Sequence, residues 1–301
     1  MCSLAHSKLG DRMKTAIMTD TNSGISVQEG KENGIFVLPM PVMVDGVDYL
    51  EGETITHAEL YDALVVDKEV MTAQPSLKDL LDFWDEILDS GYDELVYIPM
   101  SSGLSGSCHT ATQFAEEYDG KVQVVDNHRI SVTLANAVYD AKRLVNRGKN
   151  AKEIKEALEA NAFNSSIYIT VQDLKLLKKS GRVTPTAAMI ATAMNIKPVL
   201  TIQGEKLDSY AKVRGMKAAE TKMIEAAKTD LAERFKDYPQ EKIRIGIAGT
   251  FTNEADADEW IKKVQEAFPD YKTDYAPLSC SIACHVSVDT AGIAVTVVEE
   301  K

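Results

Sequence analysis

Short β-rich runs alternate with helical patterns along this 301-residue chain, and this alternation constrains its fold more than any other feature. The runs at 94–99 and 122–126 are each followed by a helical pattern. Such an order is typical of α/β proteins with largely parallel strands. From about residue 150 the pattern changes, and hairpin-like pairs of runs indicate a mixed sheet with helices on one side.

We therefore predict an α/β fold of two domains, since domains usually have about 100–200 residues. An N-terminal three-layer α/β/α domain with a parallel sheet is expected over residues 13–160. A C-terminal two-layer α/β domain with a mixed sheet is expected over residues 161–301. Residues 1–12 have no signal-peptide pattern and are predicted to be an extension outside the fold.

Charge and hydropathy exclude several classes of protein. The formal net charge is −13, and no run of Lys and Arg offsets it, so a nucleic-acid-binding protein or a peripheral membrane protein is not expected. The longest apolar stretch, residues 34–44, is interrupted by Pro39 and Pro41 and is too short for an integral membrane segment. Four cysteines without an export signal fit a reducing cytoplasm, which is the predicted location.

Three predicted loops are rich in small hydroxyl residues: 20–24, 71–76 and 101–107. Two of them, 20–24 and 101–107, follow predicted strands, where ligands of open α/β sheets bind. The third loop combines glycines and serines at the start of a helix, which favours a bound carboxylate or phosphate. These serines could instead only cap the helix.

A serine hydrolase is an alternative hypothesis, because residues 103–106 approach the nucleophile elbow G-x-S-x-G and His285 lies downstream. Ser105 would be its nucleophile. However, Ser107 stands where the last glycine is required. The phosphate-loop and dinucleotide-binding fingerprints are absent, so no nucleotide cofactor is predicted.

Cys280, Cys284 and His285 do not have the spacing of a common zinc site. The cysteines are therefore predicted to be buried structural residues, and no metal is expected. His285 is predicted to lie in a loop between two strands, where either a structural or a functional role is open. The basic segment 178–182 and Arg214 could be solvated or could dock an anionic group.

Six short motifs, taken together and in order, resemble those of the DegV family of bacterial fatty-acid-binding proteins, from about Met13 to the end of the chain. They are M-T-D-T at 18–21, T-A-Q-P-S at 72–76, S-S-G-L-S-G-S at 101–107, L-K-L-L-K-K-S-G-R at 174–182, N-I-K-P at 195–198, and Val213-Arg214 with the late His285.

The resemblance implies the fold called EDD, with an apolar tunnel between two domains that holds a long-chain fatty acid such as palmitate, stearate or oleate. Hydroxyl groups of Thr72 and Ser105 would hold its carboxylate, with Ser102 and Gly106 in the same loop. His285 matches a family histidine near the headgroup.

The resemblance also implies a protein partner. Arg182 and Arg214 match basic residues associated with a fatty acid kinase, and Asp20 and Thr21 belong to the same partner or headgroup region. The kinase would phosphorylate the presented carboxylate, and the acyl phosphate would enter phospholipid synthesis. The binding protein itself would carry no catalytic residue and no cofactor.

One segment departs from the family pattern. After the histidine the family usually continues G-P-G, whereas residues 287–289 here are Ser-Val-Asp. The carboxylate of Asp289 would disfavour a phosphate nearby. A fatty acid carrier without a kinase partner is therefore a further alternative.

Overall fold

The computed structural model describes residues 13–190 and 195–299, and its strands form three sheets. The strands are β1 (Thr15–Asp20), β2 (Phe36–Leu38), β3 (Pro41–Val44), β4 (Val47–Leu50), β5 (Val70–Thr72), β6 (Glu94–Ile98), β7 (Val122–Val124), β8 (Ser165–Thr170), β9 (Ile196–Ile202), β10 (Asp208–Arg214), β11 (Ile243–Gly249), β12 (Lys272–Pro277) and β13 (Ala291–Val297). The helices are α1 (Val27–Asn33), α2 (His57–Val65), α3 (Leu77–Asp89), α4 (Ser107–Ala115), α5 (Ser131–Asn146), α6 (Ala151–Ala160), α7 (Lys175–Ser180), α8 (Pro185–Ala188), α9 (Met216–Glu233), α10 (Glu254–Ala267) and α11 (Cys280–Val286).

The first sheet is parallel, with the order β2-β1-β6-β7. Every residue of β1 is buried, so both faces of the sheet are covered. Ile17 and Val96 face α5 and α6, whereas Met18 and Leu95 face α3 and α4. This arrangement confirms the predicted three layers, because successive side chains of a strand point to opposite faces.

The second sheet is mixed, with the order β10-β9-β8-β13-β11-β12. Only β11 and β12 pair in parallel. Helices α9 and α10 cover one face through residues such as Met223 and Trp260. The other face packs against α7, α8, α11 and the first half of the chain, through residues such as Leu104 and Ile130.

A small antiparallel sheet of order β4-β3-β5 was not predicted. The apolar stretch 34–44 divides between β2, at the edge of the parallel sheet, and β3. Pro39 and Pro41 lack the N–H group that a strand needs to continue its hydrogen bonds to a neighbour. The chain leaves the parallel sheet between these two prolines and enters the small antiparallel sheet. Asp45-Gly46, a dipeptide typical of hairpin turns, connects β3 to β4, and Val44 pairs with Val47.

Helix starts follow the sequence signals. The Ser76 hydroxyl accepts a hydrogen bond from the Asp79 N–H at the start of α3, and Thr56 and Glu59 form a capping box at α2. The basic segment 178–182 begins in the last turn of the short helix α7, which Gly181 ends with a left-handed backbone at φ 71°.

The serine-rich loop after β6 docks against the turn between β9 and β10. The Ser101 hydroxyl donates to the Gly204 carbonyl oxygen at 2.6 Å. A Cβ atom at Gly103 would lie 2.8 Å from both the Gly204 oxygen and the Glu205 Cα. Only glycine therefore allows this approach of the two backbones.

Within residues 13–190 and 195–299, none of the helices combines the length and the apolar character needed to cross a bilayer.

We predict that Gly103→Ala lowers the free energy of unfolding by about 1–3 kcal/mol, because the added methyl group overpacks this contact. Denaturant unfolding measures the change. Gly292→Ala is the matched control, since the nearest atom to its added Cβ is 3.6 Å away. Equal stability of the two variants would contradict the proposed close contact.

Candidate functional site

A cavity of about 330 Å³ lies between the mixed sheet and the first half of the chain. This volume is within the range of about 300–1,000 Å³ found for small-molecule pockets. Its walls are largely apolar and come from both halves. Apolar residues of its lining include Met100, Leu104, Ile130, Ile167, Ile169 and Ala248.

Polar side chains from separate chain segments meet in the same cavity. Thr72 ends β5, Ser105 lies in the loop between β6 and α4, Arg182 follows α7, and His285 is on α11. The structure thus brings four predicted site residues together. Gly106, a fifth, also lines the cavity.

Thr72 and His285 are in direct contact, with the Thr72 Oγ1 and His285 Nε2 atoms 3.1 Å apart. The prediction of a loop at His285 is wrong, because the residue lies in the last turn of α11. The Ser279 hydroxyl caps this helix by accepting a hydrogen bond from the Ile282 N–H. With only seven residues, α11 is too short for its periodicity to be recognised in the sequence.

The His285 side chain is electrically neutral near pH 7. Burial, assisted by the positive charge of Arg182, lowers its pKa from 6.5 to about 4. Its Nδ1 atom is buried and has no hydrogen-bond partner among the described residues. A neutral imidazole can donate through one nitrogen only, so Thr72 contacts either a donor or an acceptor, depending on the tautomer.

Ser105 lies at the N-terminus of α4. Its Oγ accepts a hydrogen bond from the Ser107 N–H at 3.2 Å and is 3.0 Å from the Ser107 Oγ. Gly106 has no side chain, and a Cβ there would lie 3.2 Å from Gln74 Nε2. Gln74 also accepts a hydrogen bond from the Thr110 hydroxyl at 3.2 Å. The loops 71–76 and 101–107 are therefore in contact.

Arg182 faces the cavity. Its Nε atom donates to the Leu104 carbonyl oxygen at 3.4 Å, and its Nη1 donates to the Ser180 carbonyl oxygen at 2.5 Å. These bonds hold the guanidinium group next to the serine-rich loop. An anionic headgroup in the cavity would therefore lie near one positive charge.

Four other predicted residues do not line the cavity. Ser102 is exposed, and Arg214 is exposed at the end of β10. Asp20 and Thr21 are buried behind the site. Asp20 accepts hydrogen bonds from two backbone N–H groups, and burial raises its pKa to about 6.

Sequence reasoning missed Asn22 and Ser281, which both line the cavity. Asn22 Oδ1 accepts hydrogen bonds from the hydroxyl groups of Ser279 and Ser281. The Asn22 Nδ2 group is buried within reach of the Asp20 carboxylate and opposes the rise in its pKa. Asn22 lies in the hydroxyl-rich loop 20–24, which could have indicated its role, whereas Ser281 stands in no motif.

The segment after His285 keeps a tight turn without glycine. Ser287 and Asp289 have left-handed backbones, with φ of 66° and 54°. The Asp289 Oδ1 atom accepts hydrogen bonds from the Thr252 N–H at 3.2 Å and from its hydroxyl at 2.8 Å. Asp289 does not line the cavity, and its carboxylate is hydrogen-bonded to Thr252 instead.

The contacts do not match a serine hydrolase. His285 is paired with Thr72, whereas the Ser105 hydroxyl is paired with Ser107. An activated serine needs a hydrogen bond to its general base, and no such Ser105–His285 bond occurs among the described residues. Cys280 and Cys284 are buried free thiols, and their pKa values are raised by burial.

Comparison with known proteins identifies relatives along almost the whole chain. A "DegV domain-containing protein" of Staphylococcus aureus is 28% identical over 282 residues, which cover 94% of this chain and 98% of the relative. A second relative, a "DegV domain-containing protein" of Deinococcus radiodurans, is 29% identical over 247 residues, 81% of this chain and 85% of the relative.

Solved structures share the fold. A fatty-acid-binding DegV family protein from Thermus thermophilus is 25% identical, with a TM-score of 0.83 over 95% of this chain and 100% of that one. A fatty acid binding DegV family protein from Streptococcus agalactiae is also 25% identical, with a TM-score of 0.82 over the same shares. The family described as "Uncharacterised protein, DegV family" matches residues 14–298. The chain therefore belongs to the DegV family.

Proposed function

We propose that this protein binds one long-chain fatty acid in the cavity, such as palmitate, stearate or oleate, and presents its carboxylate to a separate fatty acid kinase. The observation that carries the proposal is the apolar cavity in which Thr72, Ser105, His285 and Arg182 meet. The acyl chain would lie between an N-terminal unit, residues 13–160, and a C-terminal unit, residues 161–301. The protein itself catalyses no reaction in this scheme.

The headgroup contacts follow from the hydrogen-bonding capacity of the site. A neutral His285 that donates from Nε2 to the Thr72 oxygen leaves the Thr72 hydroxyl proton for the carboxylate. Ser105 adds a second hydroxyl, whose proton would turn from the Ser107 Oγ to the carboxylate. Arg182 supplies the positive charge, and hydrogen bonds to a charged acceptor are stronger than neutral ones.

Apolar burial supplies most of the affinity. Each buried methylene contributes about 0.8 kcal/mol, so a dozen contribute about 10 kcal/mol. Association costs an estimated 4–15 kcal/mol, which the headgroup bonds help to offset. The two relatives of 25% identity support this ligand class, because both are described as fatty-acid-binding.

In this scheme the exposed Arg214 would contact the kinase, as would Arg182 at the cavity. The phosphorylated product, an acyl phosphate, would supply phospholipid synthesis in the cytoplasm. Asp289 does not oppose this step, because Thr252 already binds its carboxylate away from the cavity.

Ligand identity is tested by denaturing extraction of the purified protein followed by mass spectrometry. We expect one fatty acid per chain, and native mass spectrometry of delipidated protein should show uptake of added palmitate or oleate. Absence of both the co-purified and the added fatty acid would refute the proposal.

Removal of a headgroup hydroxyl should weaken binding. We predict that Thr72→Val and Ser105→Ala each raise the Kd for palmitate about 10- to 100-fold, because each loses a hydrogen bond to a charged group, worth about 1.5–3 kcal/mol. Fluorescence competition measures the change. Ser102→Ala in the same loop is the control, since the exposed Ser102 does not line the cavity; an equal loss there would contradict the assignment.

The lowered pKa of His285 predicts a pH-dependent stability. Between about pH 6.5 and pH 4 the unfolded histidine binds a proton that the folded one does not, so acidification destabilises the fold. From pH 7 to pH 4, delipidated wild-type protein should lose about 3 kcal/mol more unfolding free energy than His285→Gln. Denaturant titrations at both pH values give the difference, and parallel pH profiles would disprove it.

Kinase coupling should depend on Arg214 without affecting ligand affinity. We predict that Arg214→Ala slows acyl phosphate formation by a fatty acid kinase at least about tenfold and leaves the palmitate Kd unchanged, because Arg214 lies outside the cavity. Lys212→Ala, two residues away on the same exposed side of β10, is the control. Loaded wild-type protein that no fatty acid kinase phosphorylates would instead favour a carrier without a kinase partner.

A further inference from the structure

Three side chains with metal-binding atoms meet at a second position, outside the cavity lining. Glu51 follows β4, His57 begins α2, and Cys280 begins α11. One potential ligand atom of each lies within 4.8 Å of the other two. The ligand atoms are a carboxylate oxygen, an imidazole nitrogen and a thiol sulfur.

His57 is oriented as a metal ligand would be. Its Nε2 atom is buried and has no hydrogen-bond partner in the described parts of the chain. The backbone carbonyl of Leu278 lies within reach of the ring, and because Nε2 has no partner it faces the other nitrogen, Nδ1. Metal-binding histidines usually donate their second nitrogen to such a carbonyl group, which leaves the lone pair of the first for the metal.

Glu51 is equally well positioned. It is 3% exposed, and its Oε2 atom accepts a hydrogen bond from the Thr21 hydroxyl at 2.8 Å. Its Oε1 atom accepts one from the Cys280 N–H at 2.6 Å. These bonds fix the carboxylate, as outer contacts of metal ligands do.

A direct pair between Glu51 and His57 does not account for this geometry. The Glu51 Oε1 and His57 Nε2 atoms are 3.7 Å apart, which is longer than a hydrogen bond. A buried imidazole nitrogen without a partner is costly. A cation between the three side chains would give the unpartnered His57 Nε2 lone pair a partner.

We propose that Glu51, His57 and Cys280 bind one Zn²⁺ ion. Zinc accepts sulfur, nitrogen and oxygen ligands together, whereas Ca²⁺ and Mg²⁺ prefer oxygen alone. Three protein ligands leave one position for water. Tyr61 provides a polar neighbour, because its ring lies 6.0 Å from that of His57 and its hydroxyl has no partner in the part of the chain described.

The proposed ion would join segments that carry the cavity. Cys280 and His285 are both on α11, and this helix packs against the three-stranded sheet, of which Thr72 is part. The ion would therefore fix one end of α11 against that sheet. This site does not depend on fatty acid binding, and its test uses metal binding alone.

Metal binding is measured on full-length protein that has been stripped with a chelator. We expect one Zn²⁺ per chain in competition with a chromophoric chelator, and a rise in Tm on addition of Zn²⁺. With Co²⁺ as a probe, we expect a thiolate charge-transfer band and the visible bands of a tetrahedral ion. His57→Ala should weaken Zn²⁺ binding at least about 100-fold, since loss of even an outer contact costs about 10- to 100-fold.

Matched controls separate this site from other thiols and imidazoles. Cys284→Ser, His109→Ala and the double variant Cys2→Ser/His6→Ala should bind Zn²⁺ as wild type does, whereas Cys280→Ser should lose the charge-transfer band. Circular dichroism verifies folding, and His57→Ala, at a half-buried position, decides the question if Cys280→Ser does not fold. No Zn²⁺ binding by wild type, or unchanged binding by His57→Ala, would overturn the proposal.

Discussion

The hydrogen bond from the Ser101 hydroxyl to the Gly204 carbonyl oxygen holds the carboxyl edge of the parallel sheet against the mixed sheet. Gly103 makes this bond possible, because any larger residue would separate the two backbones. The cavity depends on the same contact, since its walls come from both sheets. Its shape is thus a property of how two layers dock rather than of either layer alone.

Within this cavity, polarity and charge are distributed unevenly. Arg182 is positively charged, His285 is neutral at pH 7, and Thr72 and Ser105 carry hydroxyl groups. In the proposed complex, such a site would bind the anion mainly by directed hydrogen bonds, so one carboxylate oxygen would be held while the other stayed available to a reagent from outside. A fully ion-paired site would lower the nucleophilicity of both oxygens.

Some of this could be predicted from sequence, and the reasons for the remainder are physical. The hydroxyl-rich loops and the helix caps at Ser76 and Thr56 can be recognised in the sequence, because turns and caps depend on residues that are close together in the chain. The three-stranded sheet and helix α11 were not, since strands of three or four residues and a seven-residue helix carry little periodicity. The orientation of Asp289 toward Thr252 depends on tertiary contacts, as does the meeting of Glu51, His57 and Cys280.

The contact between Thr72 and His285 spans 213 positions of the chain. Strand β13, which ends at Val297, lies in the middle of the mixed sheet and is needed to complete the cavity wall. During translation, a ribosome-bound chain that has not yet released these residues cannot form the site. Uptake of a ligand in this cavity would therefore be confined to molecules whose synthesis has passed this point.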